Sequence, residues 1–438
     1  MIDTLLHFVD HFMSFVHPKT LFALMDNLQT LFGSFNLYLW LLVVLPIIRF
    51  QVPSITVFII HLIRPSFWQP PASFNNKQHW PMVSVLIAGL NEAETIGATI
   101  KSVLNCGYTN LEVIFVDDCS TDETAFVARK FEKTGRVRVF SSISRNGKPS
   151  SLNIAISMAK GEYLFIVDAD SEVQFGAIHD LIQPMKDPDV GAVAANLKVR
   201  NATENVVTRL QECEYAQNVT MARLWRAKLE MLSIIPGAGG LFRKSAVDEV
   251  KGFDTGLGDD TDLTIRLRKL GWKLRFSTNA IVWTNVPTKW RQLFSQRQRW
   301  ERNMVKIRLR KQQDLFSFWR YGWTNTWMMV DLVLTRMVLP MLFVIGLVTY
   351  LVNGPLSMPI VLTHLYWITM VFSFIKLAIA YDVTGTPRLV NLWMVPLIPF
   401  YRMLMRLVVL FALIRETLRI GMKHSYVPPK IWNQIKHW

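Results

Sequence analysis

The sequence predicts an α/β protein in which a parallel sheet is flanked by apolar segments that associate with a membrane. Two observations carry this prediction. Between about residues 80 and 290, short β-branched runs alternate with amphipathic helical stretches, which is typical of a parallel sheet with crossover helices. Outside this region the chain holds long apolar stretches, and 51% of its 438 residues are hydrophobic.

The central region contains a series of candidate strands. They begin at Val83, Leu111, Val137, Glu162 and Val190. Helical spacing lies between them, for example from Glu94 to Leu104 and from Glu123 to Lys133. The order predicts a sheet wound in the Rossmann manner, in which ligands bind beyond the carboxyl ends of the strands.

The apolar stretches divide the chain into further regions. Leu31 to Ile48 is long enough to cross a membrane, and three stretches near span length follow at about Val338–Val352, Ile360–Ala380 and Leu389–Leu413. We therefore expect an N-terminal membrane segment and linker at 1–80, an α/β domain at 81–300, interfacial amphipathic helices at 301–336, transmembrane helices at 337–415 and a basic tail at 416–438.

Charge and cysteine content indicate where the protein resides. The net charge is +15, but the basic residues cluster beside apolar spans, which favours a membrane surface over nucleic acid. The three cysteines show no metal-site or disulfide spacing, as expected at a reducing face. These features predict an integral protein of the plasma (inner) membrane with a cytoplasmic α/β domain. Three final spans would place the basic tail outside, so either one stretch does not fully cross or the positive-inside rule fails here.

The most visible motif is Asp168-Ala169-Asp170, at the end of a candidate strand. Two carboxylates one residue apart can hold a divalent cation from one side and leave its other positions to phosphate oxygens. A polar strand-to-loop turn is the alternative interpretation, because this short motif is common.

Other polar clusters follow neighbouring strands. Asn91-Glu92 and Asp117-Asp118 end two of them, in positions suited to a nucleobase or ribose, and Lys148 follows the next with a cation for a diphosphate. Each has a simpler alternative as a turn, a helix cap or a solvated loop charge.

Two downstream segments complete the set. Asp259-Asp260 precedes an amphipathic helix, where a carboxylate could act as a general base or merely cap the helix. In the segment 295–300, Arg299 could bind a diphosphate and Trp300 could stack on a sugar ring. The alternative for this segment is a basic helix with an interfacial Trp.

Seven motifs follow one another along the chain: VSVLIAGLNE, VDDCSTDET, RNGKPSSLN, DAD, PGAGGLFRK, GDDTDL and QRQRW. In this order they resemble the motifs of the processive family 2 glycosyltransferases, which include hyaluronan, chitin, cellulose and poly-N-acetylglucosamine synthases. The motifs span about residues 82–300. Two positions depart from the family pattern: Gly258-Asp259-Asp260 replaces T-E-D, and Cys119 replaces the glycine of D-D-G-S. Cys119 should be tolerated unless its backbone needs a positive φ.

The resemblance implies a GT-A catalytic domain that transfers a sugar from a UDP-sugar with inversion, using Mg²⁺ or Mn²⁺. Asp260 would be the general base and Asp170 the metal ligand. The nucleotide-sugar would be held by Glu92, Asp118, Lys148, Asp168, Gln296 and Arg299, and Trp300 would stack on the acceptor. UDP-N-acetylglucosamine and UDP-glucose are the leading donors.

Three functions remain open at this stage. The first is synthesis and translocation of a cell-surface or extracellular polysaccharide, with the growing chain, membrane lipid and an accessory export subunit as partners. The second is transfer of one sugar to a membrane lipid. The third, a non-catalytic nucleotide-binding transporter or scaffold, predicts no need for Asp260.

Overall fold

The computed structural model describes residues 80–254, 258–342, 358–383 and 389–417, with isolated positions at 56, 59, 60, 63, 344, 345 and 348. Outside the described residues lie the predicted N-terminal membrane segment (apart from positions 56, 59, 60, 63 and 80), seven of the fifteen residues of the stretch Val338–Val352, and the basic tail after residue 417.

The strands of the described region form one sheet. They are β1 (Val83–Gly89), β2 (Leu111–Asp117), β3 (Val137–Ser141), β4 (Tyr163–Asp168), β5 (Glu172–Val173), β6 (Val190–Val199), β7 (Gly240–Arg243) and β8 (Lys273–Thr284). Their spatial order is β3-β2-β1-β4-β7-β6-β8-β5. The chain passes from β1 to β2 on one side, whereas β4 lies on the other side of β1, so the sheet has a switch point between β1 and β4.

Helices cover the sheet and extend beyond it. The α-helices of the domain are α1 (Ile96–Leu104), α2 (Thr124–Arg129), α3 (Lys148–Met158), α4 (Ala177–Ile182), α5 (Val206–Glu214), α6 (Ala222–Lys228), α7 (Lys244–Glu249) and α8 (Asp259–Lys269). After β8 come α9 (Trp290–Val305), α10 (Phe318–Val333), α11 (Met358–Val383) and α12 (Ile398–Thr417). Short π-helical segments at Tyr215–Met221, Lys306–Lys311 and Leu334–Val338 follow α5, α9 and α10.

Strand β1 shows why the sheet forms the centre of the domain. All seven of its residues are buried, and it pairs in parallel with β2 and β4. Val85 and Ile87 face one apolar layer, while Leu86 and Ala88 face the other. This alternation follows from the two-residue period of a strand, and burial on both faces is typical of a parallel sheet under helices.

The predicted parallel sheet is confirmed for β3, β2, β1 and β4. The other half is mixed, because β7 runs antiparallel to both β4 and β6. The sequence interpretation did not include β5, β7 or β8. Strand β7 has only four residues and begins at Gly240, where an added Cβ would lie 2.6 Å from Ile235 Cγ2, so the tight packing that makes it a strand is not visible as periodicity.

Apolar helices pack against one side of the domain. Leu293 of α9 and Val207 of α5 share a buried cluster with Leu377 of α11 and Tyr401 of α12. Among the described residues, one helix, at Leu392–Glu416, is long and apolar enough to cross a membrane, with a mean hydropathy of 2.0 over its most apolar window. It corresponds to the predicted stretch Leu389–Leu413.

The segment from Lys306 to Tyr321 differs from the helix on the membrane surface that the sequence predicts. Residues 306–311 continue α9 as a π-helix, and Lys306, Ile307 and Arg308 are buried. Ile307 packs with Ile265 of α8, so residues 306–308 are part of the protein interior. Exposed aromatic side chains begin with Phe318 and Trp319 on α10.

Candidate active site

A cleft of about 1360 Å³ opens at the carboxyl ends of β1 and β4 and continues between the helices that follow β8. All the site residues predicted from the sequence line it: Glu92, Asp118, Lys148, Asp168, Asp170, Asp260, Gln296, Arg299 and Trp300. The crevice at the switch point of the sheet is therefore the place where the sequence motifs meet.

Asp118, the residue after β2, fixes the loop between β3 and α3. Its carboxylate oxygens accept hydrogen bonds from the backbone N–H groups of Asn146 at 2.8 Å and Gly147 at 2.9 Å. Gly147 has φ +86° and ψ 157°, a conformation essentially restricted to glycine. Both oxygens of Asp118 thus hold the backbone in a shape that directs Lys148 into the cleft.

Asn91 and Glu92 fix the loop after β1. Asn91 Oδ1 accepts from the backbone N–H of Thr121 at 2.9 Å, and the backbone N–H of Glu92 donates to Thr124 Oγ1 at 2.7 Å. Thr95 Oγ1 donates to Glu92 Oε2 at 2.8 Å. Asn91 also adopts a positive φ of 57°, which asparagine tolerates better than most residues. These bonds position the Glu92 carboxyl at the cleft.

Cys119, which replaces the glycine of the family pattern, does adopt a positive φ. Its φ is +67°, in the left-handed region that favours glycine. Its Sγ donates to the carbonyl of Ile143 at 3.7 Å. The chain therefore places a non-glycine residue in a strained turn beside the Asp118 loop.

Asp168 and Asp170 have different surroundings. Asp168 forms an ion pair with Lys148 Nζ. Asp170 accepts one weak hydrogen bond, from Ser171 Oγ at 3.3 Å. Burial raises the pKa of Asp170 to about 6, and the negative charges of Asp168 and Glu92 act in the same direction. The acid end of the cleft thus concentrates negative charge, of which Lys148 neutralises only a part.

The oxygen atoms at this end suit a hard divalent cation. Mg²⁺ commonly takes one or two carboxylates from the protein and the rest of its ligands from phosphates and water. No group of three metal-ligating side chains is assembled within the described ranges. Because Asp168 is occupied by Lys148, Asp170 is the carboxylate that remains available to a cation shared with a bound diphosphate.

Asp260 lies in the first turn of α8. Its Oδ1 accepts from the backbone N–H of Thr261 at 2.7 Å. Burial, together with the negative charge of the neighbouring Asp259, raises the pKa of Asp260 to about 6. A carboxylate with this pKa is mostly ionised at pH 7 yet can accept a proton, which suits a general base.

Two glycines shape the surroundings of Asp260. Gly258 has φ +74°, and an added Cβ would lie 3.0 Å from Ile307 Cγ1, so its glycine is required where the family pattern has threonine. A Cβ on Gly237 would lie 3.2 Å from Lys148 Nζ and 4.0 Å from Asp260 Cβ. The segment PGAGG therefore keeps the space between the cation and the candidate base open.

Helix α9 supplies the third group of predicted residues. Gln296 and Arg299 line the cleft, and Gln296 Oε1 is buried without a hydrogen-bond partner among the described residues. Trp300 remains 40% exposed, and the guanidinium carbon of Arg297 lies 4.3 Å from the centre of its ring. One face of the indole is thus covered by Arg297.

Arg297 was not among the predicted site residues, although it belongs to the same motif. Its Nη2 donates to Glu214 Oε2 at 2.8 Å, and Tyr401 donates to the same oxygen at 2.5 Å. Burial lowers the pKa of Arg297, but Glu214 outweighs this effect and holds the pKa above its ordinary value. This network joins α5, α9 and α12 behind Trp300. In the sequence, only the position of Arg297 three residues before Trp300, one helical turn away, could have indicated its contact with the indole.

The structure also brings to the cleft four arginines that were not among the predicted site residues. Arg223, Arg226, Arg308 and Arg336 line the part of the cleft that faces the apolar helices. They lie on three separate segments between residues 223 and 336, so no local motif marks them. The cleft therefore has an acidic end at the sheet and a basic end among the helices, with Asp260 lining the same cavity.

The chain belongs to glycosyltransferase family 2: the family model described as glycosyltransferase like family 2 matches residues 81–303, half of the chain. The predicted family and the predicted class of enzyme are confirmed.

Two curated relatives illustrate the similarity. A probable glycosyltransferase, YdaM, of Bacillus subtilis is 33% identical over 253 residues, which cover 56% of this chain and 60% of the relative. The poly-β-1,6-N-acetyl-D-glucosamine synthase of Staphylococcus epidermidis is 30% identical over 230 residues, 52% of this chain and 56% of the relative. The chain thus spans somewhat more than half the length of these relatives.

A solved structure confirms the GT-A fold. A mannosyltransferase from Pyrobaculum calidifontis, in complex with GDP-mannose and Mn²⁺, superimposes with a TM-score of 0.60 at 19% identity. The match covers 87% of this chain and 99% of the mannosyltransferase. It therefore includes helices beyond the sheet as well as the sheet itself.

Proposed function

We propose that this family 2 glycosyltransferase extends a polysaccharide from a UDP-sugar, with inversion and with Mg²⁺ or Mn²⁺, and passes the product across the membrane. The observation that carries the proposal is the division of the cleft. Crowded carboxylates at the sheet suit a metal-bound diphosphate, and Asp260, with a pKa of about 6, suits an acceptor hydroxyl.

The donor would lie at the acid end. Asp170 would hold the cation, which neutralises the diphosphate oxygens when it is bound. Lys148, held by Asp168, adds a positive charge beside the same group. Glu92 and Asp118 would face the nucleoside, and Gln296 and Arg299 would hold the diphosphate from α9. The solved mannosyltransferase, with its bound nucleotide-sugar and Mn²⁺, supports this class of donor.

The transfer itself needs a single proton acceptor. Asp260 would take the proton of the acceptor hydroxyl as its oxygen bonds to the anomeric carbon. The bond from this carbon to the diphosphate breaks, and its electron pair leaves with the nucleotide diphosphate. Attack from the face opposite the leaving group inverts the configuration. Charged groups that a cleft already holds in position stabilise the transition state more than mobile groups in water do, because they need not reorganise during the reaction.

A polymer is favoured because several relatives are named poly-β-1,6-N-acetyl-D-glucosamine synthases. The cleft also continues past Trp300 to Ile368 of α11 and Tyr401 of α12, which gives a growing chain a path toward the apolar helices. UDP-N-acetylglucosamine is the preferred donor on the same grounds, with UDP-glucose next. Passage through a membrane, with or without an accessory export subunit, belongs to this proposal.

The proposal is tested by sizing the product of purified protein in lipid nanodiscs. The protein is incubated with one radiolabelled UDP-sugar at a time and with Mn²⁺ or Mg²⁺. A ladder or a long polymer supports the proposal. Asp260→Asn should lower turnover by about 10³-fold, since a general base contributes roughly 10²–10⁴-fold. Asp259→Asn is the matched control, one residue away in the same turn, and should retain most activity.

Equal activity of Asp260→Asn and the wild type, or no turnover with any nucleotide-sugar, contradicts the proposal. A product of one sugar on a lipid supports the second candidate, single transfer to a membrane lipid. That candidate is favoured by the arginines and methionines that line the helical end of the cleft.

A further inference from the structure

Four arginines line one region of the cleft. Arg223 and Arg226 lie one turn apart on α6, Arg308 lies in the π-helical segment after α9, and Arg336 lies in the π-helical segment after α10. Arg308 is influenced electrostatically by both Arg226 and Arg336, which shows that these like charges are close together. The fold thus gathers guanidinium groups from three separate segments.

Two members of this cluster have acidic partners. Arg226 Nη2 lies 3.6 Å from Asp331 Oδ2, and Arg336 Nη1 lies 2.6 Å from Glu301 Oε1. These acids neutralise the charge that they contact. The other two arginines of the cluster are Arg223 and Arg308.

Arg308 and Arg223 have no ion pair with any residue in the described part of the chain. Arg308 is 4% exposed; its Nη2 donates to the carbonyl of Ser233 at 2.8 Å, and its Nε has no partner there. Arg223 Nη1 is likewise buried without a partner among these residues. A buried guanidinium with unused N–H groups is costly unless an anion completes its hydrogen bonds.

The charge on Arg308 and Arg223 persists at neutral pH. The pKa of each is lowered to about 10, in Arg223 mainly by burial and in Arg308 by burial together with the charges of nearby arginines. Both groups therefore remain protonated at pH 7. The negative charge of Asp260 acts to raise the pKa of both arginines, which shows that both lie near the candidate base.

Apolar side chains also form walls of this cleft. They belong to Met231, Met304, Met328, Leu332, Leu339 and Leu342, and Met328 shares a buried cluster with Ile307, the neighbour of Arg308. Methionine side chains adapt to flexible apolar ligands. An anionic head at the arginines and an apolar tail along these walls together describe an amphiphile.

We propose that Arg223 and Arg308 bind the phosphate group of a membrane phospholipid whose headgroup carries a hydroxyl, and that this lipid is an acceptor for the sugar. Guanidinium groups match phosphate oxygens with paired hydrogen bonds. The hydroxyl follows from Asp260, because a base needs a proton to remove and the ionised phosphate offers none at neutral pH. The acceptor role rests on the proposed function, from which it takes Asp260 as the base and a nucleotide-sugar as the donor, whereas lipid binding at the arginines does not.

The transfer is balanced by groups already assigned. The headgroup hydroxyl loses its proton to Asp260, and its oxygen bonds to the anomeric carbon of the donor sugar. The bond between this carbon and the nucleotide diphosphate breaks, and the electron pair leaves with the diphosphate. The product is a glycosylated phospholipid, which is either the final product or the lipid end of a longer chain.

Binding of short-chain lipids tests the site. Dihexanoyl phosphatidylglycerol, dihexanoyl phosphatidylcholine and inorganic phosphate are titrated separately into the purified full-length protein in neutral detergent, by calorimetry. Phosphatidylglycerol, which carries a net negative charge and hydroxyls, should bind. Arg308→Gln and Arg223→Gln should each weaken this binding at least tenfold. Arg320→Gln, on α10 and outside the cleft lining, is the matched control and should bind like the wild type.

Folding is checked by the affinity for UDP-sugar with Mn²⁺, which the arginine variants should leave unchanged. Arg308→Lys keeps the charge without the paired hydrogen bonds and should fall between wild type and Arg308→Gln. The proposal is overturned by equal lipid binding in all variants, by an equal loss in Arg320→Gln, or by inorganic phosphate binding as tightly as the lipid. Tight binding of phosphatidylcholine would equally overturn it.

The two proposals fail in different ways. Arginine-dependent lipid binding without turnover of any nucleotide-sugar refutes the proposed function and leaves the lipid site. Polymer synthesis with arginine-independent lipid binding refutes the lipid site and leaves the proposed function. Transfer of radiolabel from UDP-sugar to phosphatidylglycerol, lost in Arg308→Gln, supports both.

Discussion

The sheet end and the helical end of the cleft are built in different ways. At the sheet end, short loops are held by backbone hydrogen bonds, as Asp118 holds residues 146 and 147. At the helical end, side chains from distant segments pair with one another, as Arg297 pairs with Glu214 and Arg336 with Glu301. The first end is acidic and suits a cation with a diphosphate, and the second is basic and suits an anion.

The opposite charges of the two ends give one cavity a means to distinguish a metal-bound diphosphate from an anion without a metal. Charges of opposite sign at its two ends repel the wrong ligand as well as attract the right one. Asp260 combines features of both ends, because its pKa responds to Lys148 and Asp168 on one side and its charge reaches Arg223 and Arg308 on the other. The two ends can therefore be disturbed separately.

The largest effect is expected at the acid end. Asp170→Asn removes the available carboxylate and should lower turnover by about 10²–10³-fold, since metal charge stabilisation contributes several kcal/mol and each 1.36 kcal/mol is a factor of ten. Titration of Mn²⁺ in the presence of UDP-sugar should show weakened binding. The exposed acid Asp189, replaced by Asn, serves as the control. Unchanged Mn²⁺ affinity in Asp170→Asn would mean that the acid end does not hold the cation.

The pH dependence of turnover tests Asp260, which lies between the two ends of the cleft. Because the base must be ionised and Asp260 has a raised pKa of about 6, turnover should be constant above pH 7 and should fall below pH 6. One pH unit below the pKa, about a tenth of the maximum should remain. The measurement is initial rate against pH at saturating donor. A rate that is unchanged down to pH 4.5 would remove Asp260 from the role of base.

A smaller effect is expected at the helical end. Trp300→Ala removes the exposed indole and should raise the KM for the acceptor by up to about tenfold, because an aromatic contact contributes roughly 0.5–1.5 kcal/mol. The KM for the donor should stay the same. Trp319→Ala, which removes a 93% exposed indole outside the cleft, provides the comparison. If the donor KM rose together with the acceptor KM, the two ends of the cleft would not bind donor and acceptor separately.

The smallest effect concerns the turn at Cys119. Cys119→Gly relieves the left-handed backbone, worth roughly 1–2 kcal/mol, and adds the chain entropy of glycine, which opposes this by about 0.5–1 kcal/mol. The free energy of unfolding should therefore rise by less than about 1.5 kcal/mol, measured by denaturant titration, and turnover should be unchanged. A clear loss of stability would show that the Cys119 Sγ contact with Ile143 outweighs the backbone strain.

The sheet end was predictable from the sequence because its residues follow strands directly. Asp168 and Asp170 come after an apolar run, and parallel strands bring such ends to one edge. Strands β5, β7 and β8 were missed: β5 has two residues, β7 is set by glycine packing, and β8 is interrupted by register shifts against β6. Tertiary pairing decides such strands more than local periodicity does.

The helical end was predictable only at the motif that contains Trp300. Arg308 was interpreted as one of the basic residues beside a membrane, because Lys306 to Lys311 reads as an amphipathic surface helix. The structure instead buries Arg308 against the domain, where Ile307 packs with Ile265. A charge and its hydrophobic neighbours look the same in sequence whether they face a membrane or a cleft.

The central claim is that the nucleotide-sugar occupies the acid end and leaves the arginine end to the acceptor. The most direct measurement is the position of the diphosphate in a structure of the protein with Mg²⁺ and a non-transferable UDP-sugar analogue. We expect Mg²⁺ at about 2.1 Å from a carboxylate oxygen of Asp170, with the sugar directed toward Asp260. A diphosphate held by Arg223 and Arg308, with no cation at Asp170, would contradict the account.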